Sequence, residues 1–248
     1  VFPVVREYVS GAAASSIHEA RLCYEEMGVP AHTYAPAFRS EEFGTIMRYS
    51  SHVTFNSLAQ YRKFAPVLQR GGKHISPGLR INPEYSEIAH GIYNPCSPGS
   101  RLGVTAGELS GGLPEGVEGL HFHVLFESDS YILEKVLAVV EKKFGHLLPK
   151  LKWLNMGGGH LMTGKNYDTD HLISLLKRFR EKHGIHIILE PGSAFAWETG
   201  ELVTTVEDII DRDGIKTAIL DVSFTAHMPD CLEMPYKPVI IGAFEPVA

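Results

Sequence analysis

The sequence has little cysteine and no long apolar run. Its three cysteines, Cys23, Cys96 and Cys231, lie far apart and form no CxxC pair, so we expect neither a disulfide framework nor a structural zinc site. No apolar run reaches the roughly 18 residues that a bilayer span requires, and no signal peptide is recognised. These absences predict a cytoplasmic protein with no membrane partner.

Positive charge is also scarce. The chain has 23 Lys and Arg against 29 Asp and Glu, a net charge of −6. A nucleic-acid partner is not expected, because such proteins usually carry a basic stripe. The 44% hydrophobic and 21% charged residues are typical of a globular protein. A length of 248 residues suits one large domain or two small ones.

Strand-like and helix-like runs alternate over the first three quarters of the chain. Short apolar or β-branched runs predict strands at residues 32–35, 52–56, 74–81, 119–126, 151–156 and 186–190. Amphipathic runs at residues 16–27, 130–144 and 168–183 predict helices. Strands that alternate with helices indicate a parallel sheet. A repeat of roughly 30 residues suits a (β/α)8 TIM-type barrel, and a doubly wound sheet also fits.

The pattern changes after about Trp197. Residues 201–210 and 216–222 are rich in β-formers, with a turn at 211–214. We therefore expect a β/α barrel at residues 1–196 and the start of a mostly antiparallel β domain at residues 197–248. Both ends of the chain fall within or beside apolar runs, so we expect an N-terminally truncated barrel and an incomplete β domain.

Three consecutive glycines follow one predicted strand. Gly157, Gly158 and Gly159 come directly after the apolar run at residues 153–156. Glycine lets a phosphate approach closely and exposes backbone N–H groups. A flexible loop with no ligand explains the triplet equally well.

Two histidines occupy the predicted strand at residues 119–126. His121 and His123 are two residues apart and so face the same side of a strand. Such a pair could bind metal in a barrel hydrolase, could place one imidazole against a flat ring, or could simply be packed. His160, Glu190 and Asp221 lie near other strand ends but complete no recognised metal pattern. We therefore assign no metal site.

Charged side chains end two other predicted strands. Glu190 precedes Pro191 and Gly192, and a carboxylate at the carboxyl end of a barrel strand is in the usual place for chemistry. It could pair with a protonated ring nitrogen, or be an ordinary terminal charge. The Arg80 guanidinium suits a phosphate or carboxylate, and a surface salt bridge is equally compatible.

The segment at residues 227–236 is rich in acids and prolines. Pro229 and Pro235 bracket Asp230 and Glu233, and proline disfavours a regular helix or a central strand. A rigid acidic loop suits a polyamine-like cation, and a solvated connection is the alternative.

Taken in chain order, these motifs resemble one family. GLRINP, RLG, GLHFH, LNMGGG and LEPG are similar to the alanine-racemase-like (fold type III) pyridoxal-phosphate (PLP) decarboxylases, which include ornithine and diaminopimelate decarboxylases. NPCSPGSRLG, LNMGGGHL, EPGSAFAW and LDVSFTAHMPDCLEMPYKP resemble in particular the carboxynorspermidine/carboxyspermidine decarboxylases. The resemblance covers essentially the whole chain.

The resemblance implies a PLP-binding β/α barrel, a following β domain and an active site shared across a homodimer. It implies that His123 stacks on the cofactor ring, that Glu190 pairs with the pyridinium nitrogen and that Arg80 lies near the cofactor. Gly157, Gly158 and Gly159 would hold the cofactor phosphate. Glu233, with Asp230 beside it, would bind the amine of a small cationic substrate, a carboxylated polyamine.

The chain departs from the family pattern in two respects. Ser193 stands where ornithine-type enzymes have an arginine after EPG, so a hydroxyl and backbone would replace one phosphate contact. The family's Schiff-base lysine would lie before Val1 and its catalytic cysteine beyond Ala248. Cys231 is outside the matching motif, and we expect the chain alone to be inactive.

The expected activity is that of a lyase of polyamine biosynthesis. It would decarboxylate carboxynorspermidine or carboxyspermidine to norspermidine or spermidine, with PLP as cofactor. Two alternatives stay open: a PLP-free regulatory homologue that only binds partners, and a metal-dependent barrel hydrolase that uses His121 and His123.

Overall fold

The computed structural model describes residues 1–88, 91, 93–233 and 236–242. The chain divides into two compact units, Val1–Trp197 and Glu198–Ala248. No helix within the described residues is both long and apolar enough to cross a membrane.

The first unit alternates strands and helices. Its strands are β1 (Ala13–Ala14), β2 (Ala31–Ala35), β3 (Ser50–Phe55), β4 (Ser76–Arg80), β5 (Gly119–His121), β6 (Trp153–Asn155) and β7 (His186–Ile188). Its helices are α1 (Phe2–Val5), α2 (Ile17–Met27), α3 (Ser40–Tyr49), α4 (Leu58–Arg70), α5 (Ser130–Phe144) and α6 (Thr169–His183), with 3-10 turns at Leu148–Lys150 and Ser193–Phe195.

Side-chain caps explain where four of the helices begin. Ser16, Ser57, Asp129 and Asp168 each accept a hydrogen bond from a backbone N–H in the first turn of α2, α4, α5 and α6 respectively. Such a cap satisfies one of the otherwise unpaired N–H groups at a helix start. The helices predicted at residues 16–27, 130–144 and 168–183 are confirmed to within one residue.

The seven strands form one parallel sheet in sequential order from β1 to β7. A doubly wound sheet reverses its strand order at a switch point, so this order excludes that alternative. In a flat sheet β2 and β6 would lie about 19 Å apart. His32 Nδ1 on β2 is nevertheless 3.2 Å from Asn155 Nδ2 on β6, so the sheet is strongly curled.

The curled sheet has seven strands where a complete (β/α)8 barrel would have eight. Among the described residues β1 and β7 do not pair with each other. The expectation of a barrel-type α/β fold is confirmed at the level of a curled seven-stranded parallel sheet with helices on its outer face.

Alternate residues of the strands face opposite sides of the sheet. The outward residues Val53, Phe55, Leu79, Leu120 and Leu154 are fully buried in the main hydrophobic core, together with apolar residues of α3 to α6. The inward set is largely polar and includes His32, Thr54, Arg80, His121 and Asn155. Burial against the helices therefore supplies most of the hydrophobic stabilisation, and the interior of the sheet is free to carry polar groups.

Trp153 fills the interior beneath the carboxyl ends of the strands. Its Nε1 donates a 2.8 Å hydrogen bond to Ser76 Oγ, and its ring meets His32 edge-on at 5.0 Å. A Cβ at Gly78 or Gly119 would come within 2.2 or 2.0 Å of this ring. The two glycines of β4 and β5 therefore make room for the indole.

The second unit contains an antiparallel hairpin of β8 (Val206–Arg212) and β9 (Ile215–Leu220). Asp213 and Gly214 form its turn with φ of 54° and 80°, as two-residue hairpin turns require. Two short helices follow, α7 (Phe224–His227) and α8 (Asp230–Glu233).

The prediction that residues 227–236 exclude a helix was wrong for α8. Pro229 immediately precedes this helix, where its missing N–H has no intrahelical partner to lose. Its carbonyl instead accepts a 3.2 Å hydrogen bond from the Glu233 N–H. Pro235, the other proline of this segment, lies outside the described residues.

Candidate active site

Polar side chains from five strands or their ends meet at the mouth of the curled sheet. Tyr34, Arg80, His121 and Asn155 lie on β2, β4, β5 and β6, and Glu190 follows β7. The carboxyl ends of parallel strands share one edge of the sheet, which is where barrel enzymes place their chemistry. The structure thus brings together Arg80, His123 and Glu190, which the sequence had singled out separately.

Glu190 is held by a side chain on each of its two oxygens. Asn155 Nδ2 donates to Oε1 at 2.6 Å, and His121 Nε2 lies 3.6 Å from Oε2. Burial alone would raise the pKa of this carboxyl, but the interactions with His121, His32 and Asn155 outweigh it and lower the pKa to about 2. Glu190 is therefore a largely buried anion at neutral pH.

The two histidines of the GLHFH motif differ in environment. His121 is 2% exposed, and among the described residues neither of its ring nitrogens makes a hydrogen bond. His123 Nδ1 accepts a 3.2 Å hydrogen bond from the Gly158 N–H, so in the neutral ring the proton is on Nε2. Burial among protein atoms, with the nearby His121 and Arg80, lowers the pKa of His123 to about 4. His123 thus presents a neutral imidazole.

Arg80 is a buried cation, and it forms no surface salt bridge with any residue that the structure describes. Its side chain is 6% exposed, Nη1 donates to Tyr34 Oη at 2.6 Å, and Nη2 donates to the His123 carbonyl at 3.1 Å. Arg80 therefore fixes the backbone that carries His123 and places a positive charge beside the mouth.

The glycine triplet is a tightly packed loop. Gly157 N–H donates to Asn155 Oδ1 at 2.8 Å, and the Gly158 N–H is used by His123. Gly159 has a φ of 83°, and a Cβ on it would lie 2.2 Å from the Leu125 carbonyl oxygen. Among the described residues, only the Gly159 N–H of the triplet has no protein acceptor. The phosphate-binding role of the triplet stays a prediction.

The other predicted site residues lie elsewhere. Ser193 is exposed at the start of the 3-10 turn that follows Glu190. Asp230 and Glu233 lie on α8 of the second unit, where Asp230 accepts a 2.5 Å hydrogen bond from Tyr236 Oη. The roles of Ser193, Asp230 and Glu233 stay predictions.

Sequence analysis missed Asn155 and His32, which complete the surroundings of Glu190. His32 Nε2 lies 3.0 Å from Thr54 Oγ1, and its Nδ1 is the atom close to Asn155. Burial lowers the pKa of His32 to about 3. The signal for Asn155 was an amide within a buried run, since buried polar groups need partners. His32 gave no comparable signal.

The chain is similar to known decarboxylases over nearly all its length. It is 51% identical over 99% of its residues to the carboxyaminopropylagmatine decarboxylase of Synechocystis sp., and 45% identical over 97% to the carboxynorspermidine/carboxyspermidine decarboxylase of Campylobacter jejuni. No family model matches the chain.

The structural comparison agrees with the sequence comparison. The crystal structure of Campylobacter jejuni carboxynorspermidine decarboxylase, complexed with norspermidine, superposes with a TM-score of 0.84 and 45% identity. The alignment covers 95% of this chain and 60% of that one, and the chain spans 63% and 62% of the two curated relatives. This chain is therefore a relative of the carboxynorspermidine/carboxyspermidine decarboxylases along nearly its whole length and corresponds to a little under two thirds of theirs.

Proposed function

We propose that the protein containing this chain is a PLP-dependent lyase that decarboxylates a carboxylated polyamine. The observation that carries the proposal is Glu190, a largely buried carboxylate held ionised at the mouth of the sheet by Asn155 and His121. The similarity to decarboxylases at 45–51% identity supports the same activity.

The residues at the mouth fit PLP. An anionic carboxylate suits a protonated ring nitrogen, and a neutral imidazole at His123 suits the face of an aromatic ring. Gly158 lets the glycine loop pack directly against Glu190 and His123, because a Cβ there would lie 2.5 Å from the Glu190 carbonyl oxygen and 3.2 Å from His123 Cε1. When bound, PLP supplies an electron-withdrawing ring that accepts the electron pair left by the departing CO₂.

Different residues of this chain would contact different parts of that cofactor. Glu190 would keep a proton on the ring nitrogen, because a neighbouring carboxylate raises the pKa of a basic nitrogen. Asn155 and His121 would hold Glu190 in position, and His123 would pack on the ring. Gly157, Gly158 and Gly159, with Ser193, would contribute to the phosphate site, and Arg80 would hold the His123 backbone.

The proposed substrates are carboxynorspermidine and carboxyspermidine, with norspermidine and spermidine as products. Carboxyaminopropylagmatine is a third candidate substrate, because the Synechocystis relative is a carboxyaminopropylagmatine decarboxylase. In each case Glu233, with Asp230 beside it, would bind the cationic end distant from the carboxylate. We further propose a cytoplasmic homodimer with a shared active site.

The test uses the intact protein with PLP and each of the three substrates in parallel. We expect release of CO₂ and formation of the matching polyamine, measured by chromatography, with the preferred substrate given by kcat/KM. Activity should persist in EDTA and disappear when PLP is removed. Activity that needs a metal ion and no PLP would instead support the hydrolase, and PLP binding with no turnover of any substrate would contradict the decarboxylase.

A further inference from the structure

A chain of polar contacts crosses the inside of the curled sheet and ends at Glu190. Thr54 Oγ1 on β3 lies 3.0 Å from His32 Nε2, and His32 Nδ1 on β2 lies 3.2 Å from Asn155 Nδ2 on β6. The same Asn155 Nδ2 donates to Glu190 Oε1 at 2.6 Å. Side chains from three strands therefore lead, one after another, to the carboxylate at the mouth.

The Asn155 amide determines which nitrogen of His32 carries a proton. Asn155 is fully buried, and its Oδ1 accepts from the Gly157 N–H, so Nδ2 bears the two amide hydrogens. One of these hydrogens goes to Glu190, and the other points to His32 Nδ1. Because an amide nitrogen donates and does not accept, His32 Nδ1 must be the acceptor and carries no proton.

Thr54 provides the matching partner on the other side of the ring. A neutral imidazole with an unprotonated Nδ1 carries its proton on Nε2, and this N–H faces Thr54 Oγ1. The other tautomer would set an N–H against the hydrogens of Asn155, and a doubly protonated ring would do the same. Burial lowers the pKa of His32 to about 3, so the ring is neutral at pH 7.

Ring packing holds the imidazole of His32 in this orientation. The ring is buried and stacks on His52, with centroids 5.0 Å apart and an interplanar angle of 21°. It meets Trp153 edge-on at 5.0 Å. Because interiors of proteins are close-packed, the ring cannot turn to exchange its two nitrogens without displacing these neighbours.

We propose that His32 is a positioning residue of the site, which accepts from Asn155 at Nδ1 and so fixes the direction in which Asn155 presents its amide to Glu190. Thr54 keeps the proton of His32 on Nε2. His32 acts through Asn155 and not on the cofactor or the substrate. The tautomer is a property of this chain alone, whereas an effect on turnover rests on the proposed function.

Nitrogen NMR of the isotope-labelled histidine side chains, in the intact and cofactor-free protein at pH 7, tests the tautomer. The chain has 13 histidines, so the ring signals of His32 are assigned through bonds from its own backbone. We expect a protonated Nε2 and an unprotonated Nδ1. A proton on Nδ1, alone or together with one on Nε2, would overturn the proposal whatever the activity of the protein.

Two pairs of substitutions in the intact protein with PLP test the effect on turnover. His32→Phe keeps a packed ring without the acceptor, whereas His32→Gln can offer an amide oxygen to Asn155 and an N–H to Thr54. Thr54→Val removes the hydroxyl and nearly keeps the shape, whereas Thr54→Ser retains the hydroxyl. We expect kcat to fall about 2- to 12-fold in His32→Phe and Thr54→Val, as for one lost neutral hydrogen bond. The substrate KM should not change, and the Gln and Ser variants should retain most of kcat.

The outcomes separate positioning from support of the fold and from the proposed function. Equal kcat in the two members of each pair would overturn the positioning role, and the Thr54 pair decides if His32→Phe does not fold. An unmodified protein that turns over no substrate would count against the proposed function alone. The NMR signals of Asn155 Nδ2 in the cofactor-free protein would still test positioning. They should shift more in Thr54→Val than in Thr54→Ser, and equal shifts would overturn it.

Discussion

Asn155 Nδ2 donates to Glu190 Oε1 at 2.6 Å, while Asn155 Oδ1 accepts from the Gly157 N–H at 2.8 Å. One amide therefore joins the glycine loop to the carboxylate at the mouth. Asn155→Asp keeps the acceptor for Gly157 but sets a second carboxylate against Glu190. Like charges at this distance raise the pKa of one of the pair.

We expect Asn155→Asp to lower the free energy of unfolding at pH 7 by about 1–3 kcal/mol, as for a lost hydrogen bond to a charged group. Urea denaturation measures this change. Asn166→Asp, at an exposed position, is the control and should change stability by less than about 0.5 kcal/mol. An equal effect in the two variants would show that the Asn155–Glu190 contact is not stabilising.

Glu190→Gln should reduce kcat of the intact enzyme far more than it reduces affinity for PLP. A neutral amide cannot hold a proton on the ring nitrogen, whereas contacts to the rest of the cofactor survive. PLP affinity is measured by absorbance titration and kcat by product formation. Near-normal turnover would remove Glu190 from its proposed role, and Glu26→Gln is the matched control.

By contrast, His123→Ala should weaken PLP binding and turnover together.

His32 should make the fold sensitive to acid. Because burial holds its pKa near 3, the unfolded chain binds a proton at this residue between about pH 6.5 and pH 3 and the folded chain does not. Stability must therefore fall as the pH is lowered through that window, by up to about 1.4 kcal/mol per pH unit. Glu190, with a pKa near 2, adds a further loss from about pH 4.5 down to pH 2.

His32→Gln removes the first of these titrations. Urea denaturation at pH 7, 6 and 5 should give a slope of stability against pH that is shallower by up to one proton than in the unmodified chain. Identical slopes would mean that His32 does not stay neutral in the folded state. His18→Gln, at an exposed position, should leave the slope unchanged.

Gly119→Ala should destabilise the first unit. The new Cβ would lie 2.0 Å from the Trp153 ring, so the indole or the strand must shift, and overpacking of this kind costs about 1–3 kcal/mol. Gly111→Ala is the control, since a Cβ there meets nothing within 4 Å. Thermal unfolding compares the two. A Gly119→Ala protein as stable as the control would show that the indole is free to move.

Glu233→Gln tests how the substrate's distal amine is bound. A charge-assisted hydrogen bond contributes about 1.5–3 kcal/mol, so kcat/KM for carboxynorspermidine should fall about 10- to 150-fold. A truncated substrate without the terminal amine should lose little, because the partner of the carboxylate is missing. Equal losses on both substrates would mean that Glu233 supports the protein and does not bind the amine.

Helices were easier to predict from the sequence than the extent of the strands. Helix α5 was predicted to the residue, because Asp129 caps its start and its apolar residues follow one face. The strand predicted at residues 119–126 ends at His121. Residues beyond it leave the sheet, and the Leu125 carbonyl lies against Gly159. An apolar run does not distinguish a strand from an irregular buried segment.

A residue of the site could be predicted where its own place in the sequence indicated a functional role. Glu190 could be identified because it ends a predicted strand, and His123 because it forms a pair with His121 within one predicted strand and matches the family motif. The partnership of His32 with Asn155 could not, because 123 positions separate them. Only the curl of the sheet brings these two residues together, and no local sequence pattern encodes that curl.

The indole of Trp153 has a consequence for how molecules reach Glu190. Held between Gly78 and Gly119 and bonded to Ser76, it fills the inside of the curled sheet on the side away from the polar mouth. An elongated ligand whose reacting end sits near Glu190 would meet the indole in that direction. Its other end must therefore point away from Trp153.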